Sequence, residues 1–363
     1  MENQVTQLLK AMVKPDYTAC SYAFMQNGKI VCADAIGVID KINNQPITTD
    51  CTFNVCSISK IYCTVCIMQL VDEGLIQLED KVADILPEFT MKDERYKDIT
   101  VRMCLDHSSG LPGTQWKHFS VSTTSKFDYY SEVLNYFSNS TLKADPGTYS
   151  TYCNDGFTLA EMVVSKVRNM PYEDVLKKYI TEKIGAKSTN TTYTIHSDYP
   201  LVSEGKKPKE YFPIQGAGGI TTSMIDLCKF GQLFLEPNSI ISEKSKTLMA
   251  KSWGNTFLES DLGAIDFGLG WDLVRHHDPD YDFGDGVLAK GGNSMFFSSR
   301  LIIVPKYNAV LALSETHDCG LDVPTTLMRL FGSVCPCFWL TKNHNHQIKY
   351  GCARQNRKRL DHE

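Results

Sequence analysis

The 363-residue chain lacks several features that would by themselves have fixed its class. No apolar run is long enough to cross a bilayer, so no membrane span is expected. No stretch recurs at a fixed period, which sets aside solenoids and propellers. Neither sign of charge dominates: 37 Lys and Arg stand against 42 Asp and Glu, a net charge of -5, so no bulk attraction to nucleic acid or anionic lipid arises. The first nine residues contain no basic region followed by an apolar run, and the expectation is a cytoplasmic protein without a signal peptide. The partner expected on these grounds is a small molecule or a short peptide.

What is present is ordinary globular material, 42% hydrophobic and 22% charged, long enough for two domains or for one with an insertion. The thirteen cysteines are odd in number and scattered through apparent strands and helices instead of framing short loops. That pattern predicts reduced, buried thiols rather than a disulfide scaffold.

One stretch organises the rest. Cys56-Ser57-Ile58-Ser59-Lys60 heads a segment in which Ile61, Val65 and Met68 recur at helical spacing and Gly74 supplies a stop, so Ser57 is expected on the first helical turn. Residues three apart share a helix face, which lets the Ser57 hydroxyl meet the Lys60 amine. A serine becomes nucleophilic when a neighbour takes its proton, and a lysine discharged by burial can be that neighbour. The letters alone do not settle it. Ser203 and Lys206 have the same spacing in a polar loop, and a capping serine beside a solvated lysine would also read this way.

Taken in order, Val5, Leu8, Leu9 and Met12 predict an amphipathic first helix ending near Pro15. Two strands follow around Asn27-Gly28, a strong hairpin signal. Helices separated by polar loops occupy roughly residues 61–206, including a long irregular loop from Gly113 to Tyr130. Ser223 to Leu235 reads as a helix, Phe267 to Val274 and Phe296 to Val304 as strands, Ala309 to Leu313 as a third, and Val323 to Phe331 as a closing helix. From Ser333 the composition turns basic and a loosely held tail is expected. Cys335, Cys337, His344 and His346 match no closed tetrahedral pattern, and His276-His277-Asp278 reads as a polar loop, so neither metal nor organic cofactor is expected.

A nucleophile and amine still need a proton shuttle, an oxyanion pocket and a substrate grip. Tyr152-Cys153-Asn154 follows a Pro-Gly turn, and two ammonium groups beside Tyr152 would draw its phenol toward working pH. Lys290-Gly291-Gly292-Asn293 precedes a long strand. Its glycines permit close backbone approach, and the amides of Asn293 and Ser57 can face one oxygen. Lys183, Lys229 and Lys349 also begin a K-x-G triplet, so position selects Lys290 and not the triplet. His107 is open to two readings, general base or part of a structural turn, and the second is preferred. Cys56 and Cys153 read as packing residues beside the site.

In order and approximate separation, Ser57-x-x-Lys60, Tyr152-x-Asn154 and Lys290-x-Gly292 resemble the motifs of class C serine β-lactamases and the related D,D-peptidases and esterases. Leu105-Asp106-His107-Ser108-Ser109-Gly110-Leu111-Pro112, Pro146-Gly147-Thr148, Gly218-Gly219-Ile220 and Phe267-Gly268-Leu269-Gly270-Trp271 extend the resemblance over residues 5–332. It implies an α/β (α+β) β-lactamase/transpeptidase-like fold, with residues 1–60 and 207–332 around an antiparallel sheet, a mostly helical insert at 61–206, and a tail at 333–363. It also implies roles. Ser57 resembles the acylated nucleophile, Lys60 its partner, Tyr152 the proton shuttle, and Lys290 the second cation. Asn154, Gly291 and Gly292 resemble the substrate contacts, and the amides of Ser57 and Asn293 the oxyanion hole. Gly291 stands where class C β-lactamases usually carry Thr or Ser, whose hydroxyl helps bind a substrate carboxylate. The expectation is therefore a serine hydrolase acting through an acyl-enzyme on amides or esters of small substrates, including ones with D-amino acid residues. A true β-lactamase or D,D-carboxypeptidase ranks second, and a non-catalytic binding or scaffold relative third.

Overall fold

A computed structural model describes residues 4–122, 128–191, 198–254, 266–275 and 283–335. Its centre is a five-stranded antiparallel sheet made from the two ends of the chain. The strands are β1 (Ala19–Gln26), β2 (Lys29–Gly37), β3 (Leu288–Asn293), β4 (Phe297–Val304) and β5 (Ala309–Thr316), in spatial order β2-β1-β5-β4-β3. Asn27 and Gly28, at φ 50° and 70°, make the tight left-handed turn that joins β1 to β2. This turn matches the natural twist of paired strands. Asn308, at φ 44°, plays the matching part between β4 and β5.

The central strands β1 and β5 are buried on both faces because helices cover each side. On one side, α1 (Gln4–Met12) and α5 (Val323–Val334) pack on Tyr22, Phe24 and Leu311, with the Phe24 and Phe331 rings 5.6 Å apart edge to face. On the other, α2 (Ser59–Asp72), α3 (Asn154–Arg168) and α4 (Met224–Gln232) contribute to the larger core, which meets the sheet at Ala23, Val310 and Ala312. All residues of α2 from Ser59 to Leu70 are buried, so the helix runs through the core instead of lying on it. Truncating one of its large apolar side chains would cost ~2–5 kcal/mol.

The structure departs from the sequence expectations in four places. Phe267–Val274 is not a strand. Gly270 has φ 79° and a Cβ there would lie 2.5 Å from Thr64 Oγ1, while a Cβ on Gly268 would meet Met249 O at 2.3 Å. These glycines let an irregular segment press against α2 and its neighbours, which a pleated strand cannot do. Conversely, Lys290-Gly291-Gly292 is itself strand β3, hidden by the low strand propensity of paired glycines. The last helix runs past the expected end at Phe331 to Val334, and Cys335 is still buried. Leu8 is exposed and Thr6 takes the inward place on α1. Cys337, His344, His346 and His276-His277-Asp278 lie outside the described residues. The eleven described cysteines are all free and buried. Among the described residues no helix is long and apolar enough to cross a membrane.

Candidate active site

The site forms where α2 begins, at the junction of the sheet edge and the helical part. Asn54 Oδ1 accepts the Cys56 N–H at 2.6 Å and holds Cys56 at φ 49°, a left-handed conformation that side chains ordinarily avoid. Such a residue costs ~1–3 kcal/mol and persists only where its surroundings enforce it. The kink delivers Ser57 into a short 3-10 turn, Cys56–Ile58, and α2 proper starts at Ser59. Ser57 thus precedes the first α-helical residue by two positions, while its spacing to Lys60 keeps both side chains on one side.

Lys60 is 0% exposed, and its Nζ faces three oxygens: Ser57 Oγ at 3.1 Å, Asn154 Oδ1 at 2.6 Å and Ala217 O at 2.7 Å. As an ammonium it donates to all three. As a neutral amine it can keep two donors on the carbonyl-type oxygens, which only accept, and turn its lone pair to the serine hydroxyl. Burial, with Lys290 adding repulsion against the opposing pull of Tyr152, holds its pKa below the ordinary lysine value. The geometry and the electrostatics both favour a base at this position.

Tyr152 precedes the N-cap of α3, where Cys153 Sγ accepts from the Gly156 N–H at 3.4 Å. Although 37% of Tyr152 is open, two lysine amines approach its ring, Lys60 Nζ 4.8 Å and Lys290 Nζ 4.9 Å from its centre. Its hydroxyl accepts from Lys290 Nζ at 3.4 Å. Burial works to raise its pKa, but the fields of Lys290 and then Lys60 outweigh it and the phenol titrates below the ordinary tyrosine value. His107 stacks on the Tyr152 ring at 4.5 Å, and its Nδ1 accepts the Cys153 N–H at 3.1 Å. Burial and the same two lysines push the His107 pKa well below 6.5, so it packs as a neutral ring.

Lys290, also 0% exposed, projects from β3, with Asp272 Oδ1 2.5 Å from its ammonium. Burial opposes its charge, yet Asp272 and Tyr152 together raise its pKa above 10.5. Two buried lysines in one pocket therefore have opposite tendencies, one to lose its proton and one to keep it. Gly292 lies so close to the Cys56–Ile58 turn that a Cβ would be 2.1 Å from Val55 O and 3.2 Å from Ser57 N. The chain continues to Asn293, which is exposed at the end of β3.

Ser57, Lys60, Tyr152, Asn154 and Lys290 thus converge on one pocket, with Gly291, Gly292 and Asn293 along its strand edge. Sequence reasoning missed Asp272, the Ala217 carbonyl and Thr114, whose Oγ1 accepts from Asn154 Nδ2 at 3.0 Å. Asp272 directly follows the Gly268-Leu269-Gly270-Trp271 landmark. Its pairing with a lysine eighteen positions later depends on the irregular segment being tied to β3 through Ala289.

A family model described as Beta-lactamase matches residues 5–318. Penicillin-binding protein 4* of Bacillus subtilis is 25% identical over 271 residues, which cover 68% of this chain and 58% of that protein. Among solved structures, D-amino acid amidase from Ochrobactrum anthropi SV3 superposes with a TM-score of 0.74 at 18% identity, covering 92% of this chain and 99% of that one. A class C β-lactamase gives 0.73 at 17% identity, with 91% and 96% covered. At these identities the structural likeness is one of fold.

Proposed function

Because the chain belongs to the β-lactamase family, we propose that it is a serine hydrolase that cleaves amide or ester bonds of small substrates through an acyl-enzyme. The observation that carries this reading is the Lys60 amine 3.1 Å from Ser57 Oγ, with its two other partners restricted to accepting. Ser57 Oγ attacks the carbonyl carbon as Lys60 takes the hydroxyl proton, forming a tetrahedral oxyanion. The backbone amides of Ser57 and Asn293 are assigned to that oxyanion. Tyr152, beside the two lysine amines, gives its proton to the departing nitrogen or oxygen as the bond to the carbonyl breaks, and Lys60 reprotonates it. In the second half, Tyr152 passes its proton to the neutral Lys60 amine and, as a phenolate, takes one from water, whose oxygen attacks the acyl carbon; the Lys60 ammonium then returns a proton to Ser57 Oγ as the acyl bond breaks, which frees the acid and the serine.

Within this class, the missing hydroxyl at Gly291 favours an amidase, esterase or peptidase over an efficient β-lactamase, since a charge-assisted hydrogen bond is worth ~1.5–3 kcal/mol. The test is labelling with a fluorophosphonate, read by intact mass. One adduct on the wild-type protein and none on Ser57→Ala is expected. An unlabelled wild type, or equal labelling of both, would leave a non-catalytic binding role as the better account.

A further inference from the structure

Three groups able to hold an anion gather along strand β3 beside Tyr152: the Lys290 ammonium, the Gly291 N–H and the Arg300 guanidinium. Gly291 and Arg300 are directly opposed across β3 and β4. A Cβ on Gly291 would sit 3.2 Å from the Arg300 guanidinium and 3.8 Å from Asp272 Oδ2, so the place left by the absent side chain is flanked by both. Arg300 Nε is buried with no hydrogen-bond partner. Asp272 divides its two oxygens between the other donors, Oδ1 to Lys290 at 2.5 Å and Oδ2 to the Gly291 N–H at 3.1 Å.

We propose that Asp272 is a specificity residue: its carboxylate fills the anion subsite at the leaving-group end of the pocket, so the substrates are uncharged or cationic there. The inference rests on the acyl-transfer reading, because Tyr152 marks the side on which the leaving group departs. The reason is electrostatic. A carboxylate on the substrate would meet Asp272 at close range and find the Lys290 ammonium and the strand amide already engaged. Like charges forced together in a partly buried pocket repel strongly, whereas a neutral amide or ester incurs no such penalty. The same observation gives the Gly291 position a reason. A threonine or serine there would crowd the guanidinium, so this strand edge is built around a carboxylate supplied by the chain itself.

The test separates binding from chemistry. In a Ser57→Ala background, which removes turnover, N-acetyl-D-alanyl-D-alanine and its C-terminal amide are titrated calorimetrically against protein with Asp272 intact, Asp272→Asn and Asp272→Ser. With Asp272 in place the amide is expected to bind more tightly than the acid. Removing the charge should shift the acid-to-amide affinity ratio toward the acid by about tenfold or more, the scale of a charge-assisted contact regained. Melting curves identify a variant that fails to fold, and the second substitution then carries the test. An acid that already binds as well as its amide with Asp272 intact would overturn the proposal. So would a ratio that stays within about twofold in the folded variants. Absence of a fluorophosphonate adduct on Ser57 would refute the acyl-enzyme separately, without altering these binding ratios.

Discussion

Substituting Gly292 by alanine tests whether strand β3 must lie against the Cys56–Ile58 turn for the proposed chemistry to work. A Cβ built on Gly292 falls 2.1 Å from Val55 O, and both contacting groups there are backbone, so no side chain can rotate out of the way. Relief requires β3 and the Val55–Ser57 backbone to part by roughly 1 Å, because real Cβ contacts are rarely closer than about 3 Å. That motion carries Asn293 and Lys290 away from Ser57. A displacement of this size in a catalytic constellation costs ~10²-fold in rate, equivalent to about 2.7 kcal/mol of transition-state stabilisation. The folded state suffers less, ~1–3 kcal/mol, as expected for one added methyl in a tight place. The assay is the second-order rate of fluorophosphonate labelling at Ser57, with urea unfolding of the same preparation. Gly292→Ala should unfold cooperatively at a lower midpoint and label about 10²-fold more slowly. A labelling rate within about threefold of wild type in a cooperatively folded variant would show that the strand edge does not supply the oxyanion contact.

Three further outcomes follow from the buried charges. In the proposed mechanism Lys60 acts as an amine, and its pKa is depressed by burial, so labelling should rise with pH along a limb below the 10.5 of an ordinary lysine. Lys290→Met removes a positive charge that lowers the pKa of both Lys60 and Tyr152, so that limb should move to higher pH; an unmoved or acid-shifted limb would contradict the assignment. Glu161 is fully buried, accepting from Tyr130 Oη at 2.6 Å and from the Gly216 N–H at 2.7 Å, and burial raises its pKa from 4.5 to about 8. The native state then holds a proton that the unfolded chain releases, so stability should fall as pH rises between these two values. Glu161→Gln, neutral throughout, should gain on wild type by ~1–3 kcal/mol between acidic and alkaline conditions, measured as urea midpoints, whereas parallel pH profiles would refute the assignment.

The pocket shows how much one sequence can specify. Ser57 and Lys60 were legible because helical spacing is local, and the glycines of residues 291 and 292 pointed to a close backbone approach. What was illegible depended on partners distant in the chain. Paired glycines have poor strand propensity, yet β3 forms because its backbone is bonded to β4 along six residue pairs. The Gly268-Leu269-Gly270-Trp271 run looked like a strand because its apolar letters are those of a buried segment, but a left-handed Gly270 fitted against Thr64 makes it an irregular brace. That brace is what brings Asp272 to Lys290.

The sequence by itself determined the family resemblance, the helical segment headed by Ser57, the hairpin at Asn27-Gly28 and the choice of Ser57, Lys60, Tyr152, Asn154 and Lys290 as residues of one pocket. Local spacing and backbone preference carry that information. Only the tertiary structure decided which protons those residues can hold. Lys60 and Lys290 are the same chemical group, and each is surrounded differently: one faces two carbonyl-type acceptors and a hydroxyl, while the other is paired with a carboxylate. Their opposite tendencies arise from burial and from which charges lie within a few ångströms, and these are properties of the assembled pocket.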